Sequence, residues 1–111
     1  MKRASCVALF LAFVVSPAVF ANGAADASAG KDVYAKHCVS CHSADGNGND
    51  AVAKMMKVPI PPLGSKEVQA LSDADLSKVI TDGKGKMPAM KTLSSADVAN
   101  VVAFIRTLAH K

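Results

Sequence analysis

The amino-acid sequence predicts an all-α domain of helices joined by loops, on three observations. No segment of strand length alternates apolar with polar residues, so a half-buried sheet is not encoded. Leu71-Ser72-Asp73-Ala74-Asp75 and Leu93-Ser94-Ser95-Ala96-Asp97 are near copies 22 residues apart, each with a serine followed three residues later by an acid. That pattern caps a helix start, because hydroxyl and carboxylate can each accept from a backbone N–H that the first turn leaves free. Beyond the second copy, Val98, Val101, Val102, Ile105 and Leu108 recur at helical spacing and form one apolar stripe.

Taken in order, the chain opens with Met1-Lys2-Arg3, an apolar run from Cys6 to Val15, and Ser16-Pro17-Ala18-Val19-Phe20-Ala21. A basic start, a short greasy middle and a small residue at the cut make a secretory signal, its middle too short to span a bilayer. The expected cut follows Ala21, with Ala25 as second choice, so residues 1–21 form a signal peptide and residues 22–111 one small domain. A domain of that size stands near the lower limit for a stable core without outside help. Export implies an oxidising, periplasmic setting, yet Cys6 departs with the leader and leaves Cys38 and Cys41, with no cysteine over for a disulfide. Loss of Lys2 and Arg3 lowers the formal charge from +4 to +2. With no basic stripe interleaved with aromatics, a nucleic-acid partner is not expected.

Asn22 to Ala29 is small and polar and reads as a frayed terminus. Ser28 is placed to cap a first helix over about 29–38, with Gly30 and Tyr34 on one face. A glycine inside a helix costs about 1 kcal/mol, which predicts that another helix approaches closely there. Asp45-Gly46-Asn47-Gly48-Asn49-Asp50 is a turn-rich loop. It is no calcium loop, since Asp50 stands where the invariant glycine belongs and Met56 where the bidentate glutamate belongs. A short helix over 50–57 is expected to stop before Pro59, Pro61 and Pro62, which forbid regular helix and favour an extended run. The helix after Ser72 runs to about Thr81 and ends at Gly83, and the last runs from about Ser95 to Ala109.

The residues that carry chemistry are Cys38-Val39-Ser40-Cys41-His42, a C-x-x-C-H box that reads as a covalent c-type haem attachment site. Each sulfur can add across one haem vinyl group, and the two-residue gap presents both to one edge of the macrocycle. His42 follows as one axial nitrogen ligand to the iron, its other N–H needing a carbonyl or carboxylate acceptor. A dithiol redox pair would demand a surrounding βαβ pattern, and a zinc site two further ligands at metal-binding spacing; neither is present. With Phe10, Phe13 and Phe20 in the leader, Tyr34 and Phe104 are the aromatics that remain. A large flat cofactor would fill the centre of so poor a core.

An iron that carries electrons needs a second strong-field ligand, and a methionine thioether is one choice, one that raises the potential. Met55 and Met56 fall in the short helix, where core packing is the default role of so flexible a side chain. Met87 lies in Gly83-Lys84-Gly85-Lys86-Met87-Pro88, whose glycines allow close backbone approach and whose proline fixes the next φ. It is the expected sixth ligand, with Met90 second. The glycine-lysine repeat lacks Walker spacing and a terminal Ser or Thr, so it is no phosphate loop. His37 precedes Cys38 and points away from an iron held by His42, and His110 stands at a fraying end.

On Cys38-Val39-Ser40-Cys41-His42, Pro61-Pro62-Leu63, Gly85-Lys86-Met87-Pro88 and terminal helices carrying Gly30, Tyr34 and Phe104, the chain resembles the small bacterial class I c-type cytochromes. The order of haem box, proline segment, methionine loop and last helix spans nearly all of 22–111. The resemblance implies a small cytochrome c fold, three to four helices and loops wrapped around one haem c bound covalently through Cys38 and Cys41. It also implies that the first and last helices cross near Gly30 and Phe104. A proline-segment carbonyl, Pro61 foremost, would accept from His42, while His42 and Met87 ligate the iron. The stretch between His42 and the prolines is longer than the family pattern, which leaves open which proline serves.

The function expected is a soluble periplasmic single-haem electron shuttle, monomeric, without enzymatic activity or a membrane span, docking transiently on redox proteins. Lys31, Lys36, Lys54, Lys57, Lys84, Lys86 and Lys91 flank the haem-bearing loops and either steer acidic partners or are ordinary solvated side chains. The alternatives are a haem subunit of a larger dehydrogenase or oxidase, and a sensor or enzyme whose methionine ligand dissociates.

Overall fold

The computed structural model describes Ala12 and residues 25–110; apart from that one alanine, the expected signal peptide and its cut after Ala21 lie outside the described residues. Six helices follow in order: α1 (Ala27–His37), α2 (Val39–His42), α3 (Asp50–Met56), α4 (Lys66–Gln69), α5 (Asp73–Asp82) and α6 (Ser95–Thr107). Four of these are the helices the sequence predicts. The other two, α2 and α4, are single turns too short to leave a periodic signal. Among the described residues there is no strand, and the sole bridge pairs Lys84 with Met87.

Asp26, not Ser28, caps α1, which therefore begins earlier than expected. Its carboxylate accepts from the N–H groups of Ser28 at 2.8 Å and Ala29 at 3.3 Å, and its own N–H donates to Asn100 Oδ1 at 2.8 Å. The cap thus also ties α1 to α6. A Cβ on Gly30 would stand 1.9 Å from the Asn100 carbonyl oxygen, so the two backbones touch where the glycine predicted a close approach. One turn on, the Tyr34 ring lies 5.0 Å from that of Phe104.

The serine of each near copy does cap its helix. In α6 the box closes both ways, Ser94 Oγ accepting from the Asp97 N–H and the Asp97 carboxylate from the Ser94 N–H, whereas in α5 only the serine half forms. Val98, Val101, Val102 and Ile105 of α6 are buried against Leu76 and Ile80 of α5 and Val68 of α4. Leu108 falls past the end of α6, and its Cδ1 would stand 2.8 Å from a Cβ on Gly46. The His110 N–H donates to the Gly64 carbonyl at 2.9 Å, so the segment expected to fray is tied down.

Arg106 makes a clasp that the sequence did not announce. Its guanidinium donates to the carbonyls of Gln69 at 2.8 Å and Leu71 at 2.6 Å and to Asp73 Oδ1, while Gln69 Nε2 donates to the carbonyls of Leu63 and Ile105. The corner between α4 and α5 is thereby held on the end of α6.

Asn49 caps α3, and Lys57, left-handed at φ 56, ends it before Pro59. α3 buries none of its side chains, and Met55 is 73% exposed, against the core role expected of it. The reason is that α3 is a short helix held by a cap at each end rather than by a packed face. No helix among the described residues is long and apolar enough to cross a membrane.

Candidate haem site

The attachment box straddles two elements. Cys38 is the last residue of the α1 cap, with φ −118 and ψ −30, and Val39–His42 form α2. Tight turns therefore set the spacing of the two sulfurs and the imidazole. Cys38, His42 and Met87 line one cleft, whose remaining walls are Leu63, then Leu76, Val79 and Ile80 of α5, and Val101 and Ile105 of α6. Cys41 is half-buried one turn away and Pro61 is exposed; neither lines the cleft.

Burial shapes the two titratable groups of this cleft. It lowers the His42 imidazole below the usual histidine range, which favours the neutral ring. Burial first, and then the neighbouring Cys41, push the Cys38 thiol up to about 11, so it is protonated at neutral pH. His42 Nδ1 is buried without a hydrogen-bond partner, so no bond to the Pro61 carbonyl is formed here. A neutral imidazole, a thioether, a nearby pair of free thiols and an almost wholly apolar wall are the donor set and surroundings that a covalent haem requires.

The methionine loop is a closed turn. The Met87 N–H donates to the Lys84 carbonyl at 2.9 Å and the Lys84 N–H to the Met87 carbonyl at 3.1 Å, with Gly83 at φ 78 and Gly85 at φ 56. A Cβ on Gly83 would stand 2.7 Å from the Met87 carbonyl oxygen, which is why a glycine is needed there. Met90 donates its N–H to the Ile80 carbonyl and packs on the core outside the cleft. Met55 and Met56 lie on α3, away from the cleft, and His37 and His110 are exposed.

Sequence reading missed what the loop at 45–50 does. Four successive carbonyls at the end of the box are each capped by the loop: Ser40 by Asn49 Nδ2, Cys41 by the Asn49 N–H, His42 by the Gly48 N–H, and Ser43 by the Gly46 N–H at 3.1 Å, with the Tyr34 hydroxyl of α1 also donating to Ser43. Asn49 meanwhile accepts from Ala51 and Val52 and so starts α3. Asp45 accepts from the backbone and side chain of Asn47, and these bonds hold its carboxyl below the usual range. The run of asparagines and glycines was the available signal, since these residues cap helices and adopt positive φ. Ser43 itself stands at φ 64 and ψ 164, a conformation that costs a side-chain-bearing residue about 1–3 kcal/mol.

Helices crossing at a glycine, a C-x-x-C-H turn and a facing methionine loop around one apolar cleft define a small haem protein of the c-type cytochrome class. The comparisons place it further. The family model described as cytochrome c oxidase, cbb3-type, subunit III matches residues 25–105, and the chain belongs to this family of c-type cytochromes. Cytochrome c6 of Picosynechococcus sp. is 37% identical over 107 residues, covering 87% of this chain and 89% of that protein. The cytochrome c subunit of the quinone alcohol dehydrogenase of Gluconacetobacter polyoxogenes is also 37% identical, over 80% of this chain but 20% of that protein. The solved KustC0563 c-type cytochrome superposes with a TM-score of 0.62 at 26% identity, over 73% of this chain and 98% of that one. Haem c is the cofactor of this class, and the donor set above fits it.

Proposed function

We propose that this protein is an exported, soluble, single-haem electron carrier that docks transiently on redox proteins and catalyses no bond-making of its own. The observation that carries this reading is that Cys38, His42 and Met87 share one apolar cleft although 49 positions separate the first from the last. The bound haem supplies a one-electron store, cycling between Fe(II) and Fe(III). Cys38 and Cys41 would hold it covalently and His42 and Met87 would ligate its iron, which would leave no open position for a substrate. Leu76, Val79, Ile80, Val101 and Ile105 exclude water from it. With both ligands supplied by the protein, little need rearrange when the charge changes. A carbonyl of the proline segment, Pro61 foremost, would accept from the His42 N–H in the haem-bearing protein.

Residues 1–21 act as the export signal, cut after Ala21, and residues 22–111 are the mature periplasmic monomer. Lys84 and Lys86 are exposed on the methionine loop, whereas Lys91 is paired with Asp82 at 3.4 Å. The test is a visible spectrum of Met87→Ala beside wild type. The far-red sulfur-to-iron band is expected to vanish in the variant; its retention would remove Met87 from the ligand role and leave Met90 to be tried.

A second reading is a haem subunit of a larger oxidase or dehydrogenase. The family description and the dehydrogenase relatives, of which the chain spans 20%, favour it. Co-purification with a partner at high salt would decide for it, because weak redox encounters of small area do not survive such screening.

A further inference from the structure

We propose that Tyr34 is a positioning residue for the axial histidine, its hydroxyl holding, through the Ser43 carbonyl, the backbone that leaves His42. This rests on the reading of His42 as an iron ligand. Ser43 follows His42 directly and has φ 64 and ψ 164, where residues other than glycine rarely stand. Such a conformation persists where its surroundings over-determine it. Ser43 is held four times: its N–H donates to the Val39 carbonyl at 2.9 Å, its Oγ to the Gly48 carbonyl at 3.0 Å, and its own carbonyl accepts from the Gly46 N–H at 3.1 Å and from the Tyr34 hydroxyl.

The first three holders, Val39, Gly48 and Gly46, belong to the box and its loop and would move with them. Tyr34 does not. It is 2% exposed on α1, and its ring is set against Phe104 of α6. The hydroxyl therefore refers the direction of His42 to the crossing of α1 and α6, where Gly30 brings the two backbones into contact. Removing this one hydrogen bond should turn the imidazole while the fold stands.

Tyr34→Phe keeps the ring, its burial and its aromatic neighbour and deletes the donor alone. Ser43→Gly removes the conformational penalty, since glycine adopts a φ near 64 without cost. The experiment compares wild type, both single variants and the double variant as exported holoproteins. Two quantities are read: the hyperfine-shifted haem methyl resonances of the oxidised protein, whose pattern reports the orientation of the iron's ligands, the imidazole plane among them, and the haem-bearing fraction by mass. Tyr34→Phe is expected to displace the methyl resonances or to lower the haem-bearing fraction several-fold, and Ser43→Gly in the same chain to restore most of the wild-type value. A wild-type methyl pattern and haem fraction in Tyr34→Phe, or a change that Ser43→Gly leaves untouched, would reduce Tyr34 to a packing residue and overturn the proposal. Failure of the underlying reading shows elsewhere, as a wild-type chain that carries no haem mass.

Discussion

At the scale of single residues, Gly30 and Tyr34 carry the most weight for their size. A methyl on Gly30 would meet backbone of α6 at 1.9 Å, and no rotamer change relieves a clash with backbone. Gly30→Ala is expected to destabilise the holoprotein by about 1–3 kcal/mol, since overpacking forces main-chain shifts of that cost. A thermal melt checks it, at roughly 4–8 °C per kcal/mol for a domain of this size. An unmoved midpoint would mean that the helices part freely. Tyr34 adds a dependence on pH. Burial, with smaller contributions from Cys38 and Asp45, raises its hydroxyl from 10.0 to about 12. The folded chain then keeps the proton after the unfolded chain has released it. This contribution is whole below pH 10 and is lost as pH climbs through 12. Denaturant midpoints of wild type should fall over that window more steeply than those of Tyr34→Phe; parallel curves would exclude the hydroxyl as the cause.

At the scale of elements, the helix starts were legible because capping is local. Ser72 and Ser94 bond to N–H groups three residues away, a relation visible in any short window. The start of α1 was misplaced for the same reason: Asp26 and Ser28 are both good caps, and the bond from the Asp26 N–H to Asn100, 74 positions on, was not visible in a local window. The Arg106 clasp had no local sign at all. Its ion pair with Asp73 contributes little, because the Asp73 side chain is 76% exposed. The carbonyls of Gln69 and Leu71 matter more, as bonds from a charged donor contribute about 1.5–3 kcal/mol. Arg106→Ala is expected to cost about that much in a denaturant titration. Arg106→Lys should recover little, since a point ammonium cannot reproduce the fork. Full recovery with lysine would show that charge, not geometry, holds the corner.

At the scale of the whole molecule, the cofactor acts as part of the core. The cleft walls come from α5, α6 and Leu63, and these apolar side chains line the place where a haem would sit. Replacing both Cys38 and Cys41 by alanine is expected to yield a chain with the mass of the bare polypeptide. Its melting point should lie further below wild type than that of Gly30→Ala or Arg106→Ala, because each large apolar side chain left to water forgoes roughly 1.5–3 kcal/mol. Equal melting points for the colourless chain and wild type would show that the protein core stands without the cofactor.

The cofactor class, the capped helices α3, α5 and α6 and the glycine at the helix crossing can be read from the chain alone, because spacing, capping and steric size act over a few residues. That Met87 rather than Met90, Met55 or Met56 shares the cleft with His42, and that Tyr34 reaches Ser43, comes from packing. Both depend on how α5 and α1 pack on α6, and side chains brought together by packing leave no periodic trace along the chain.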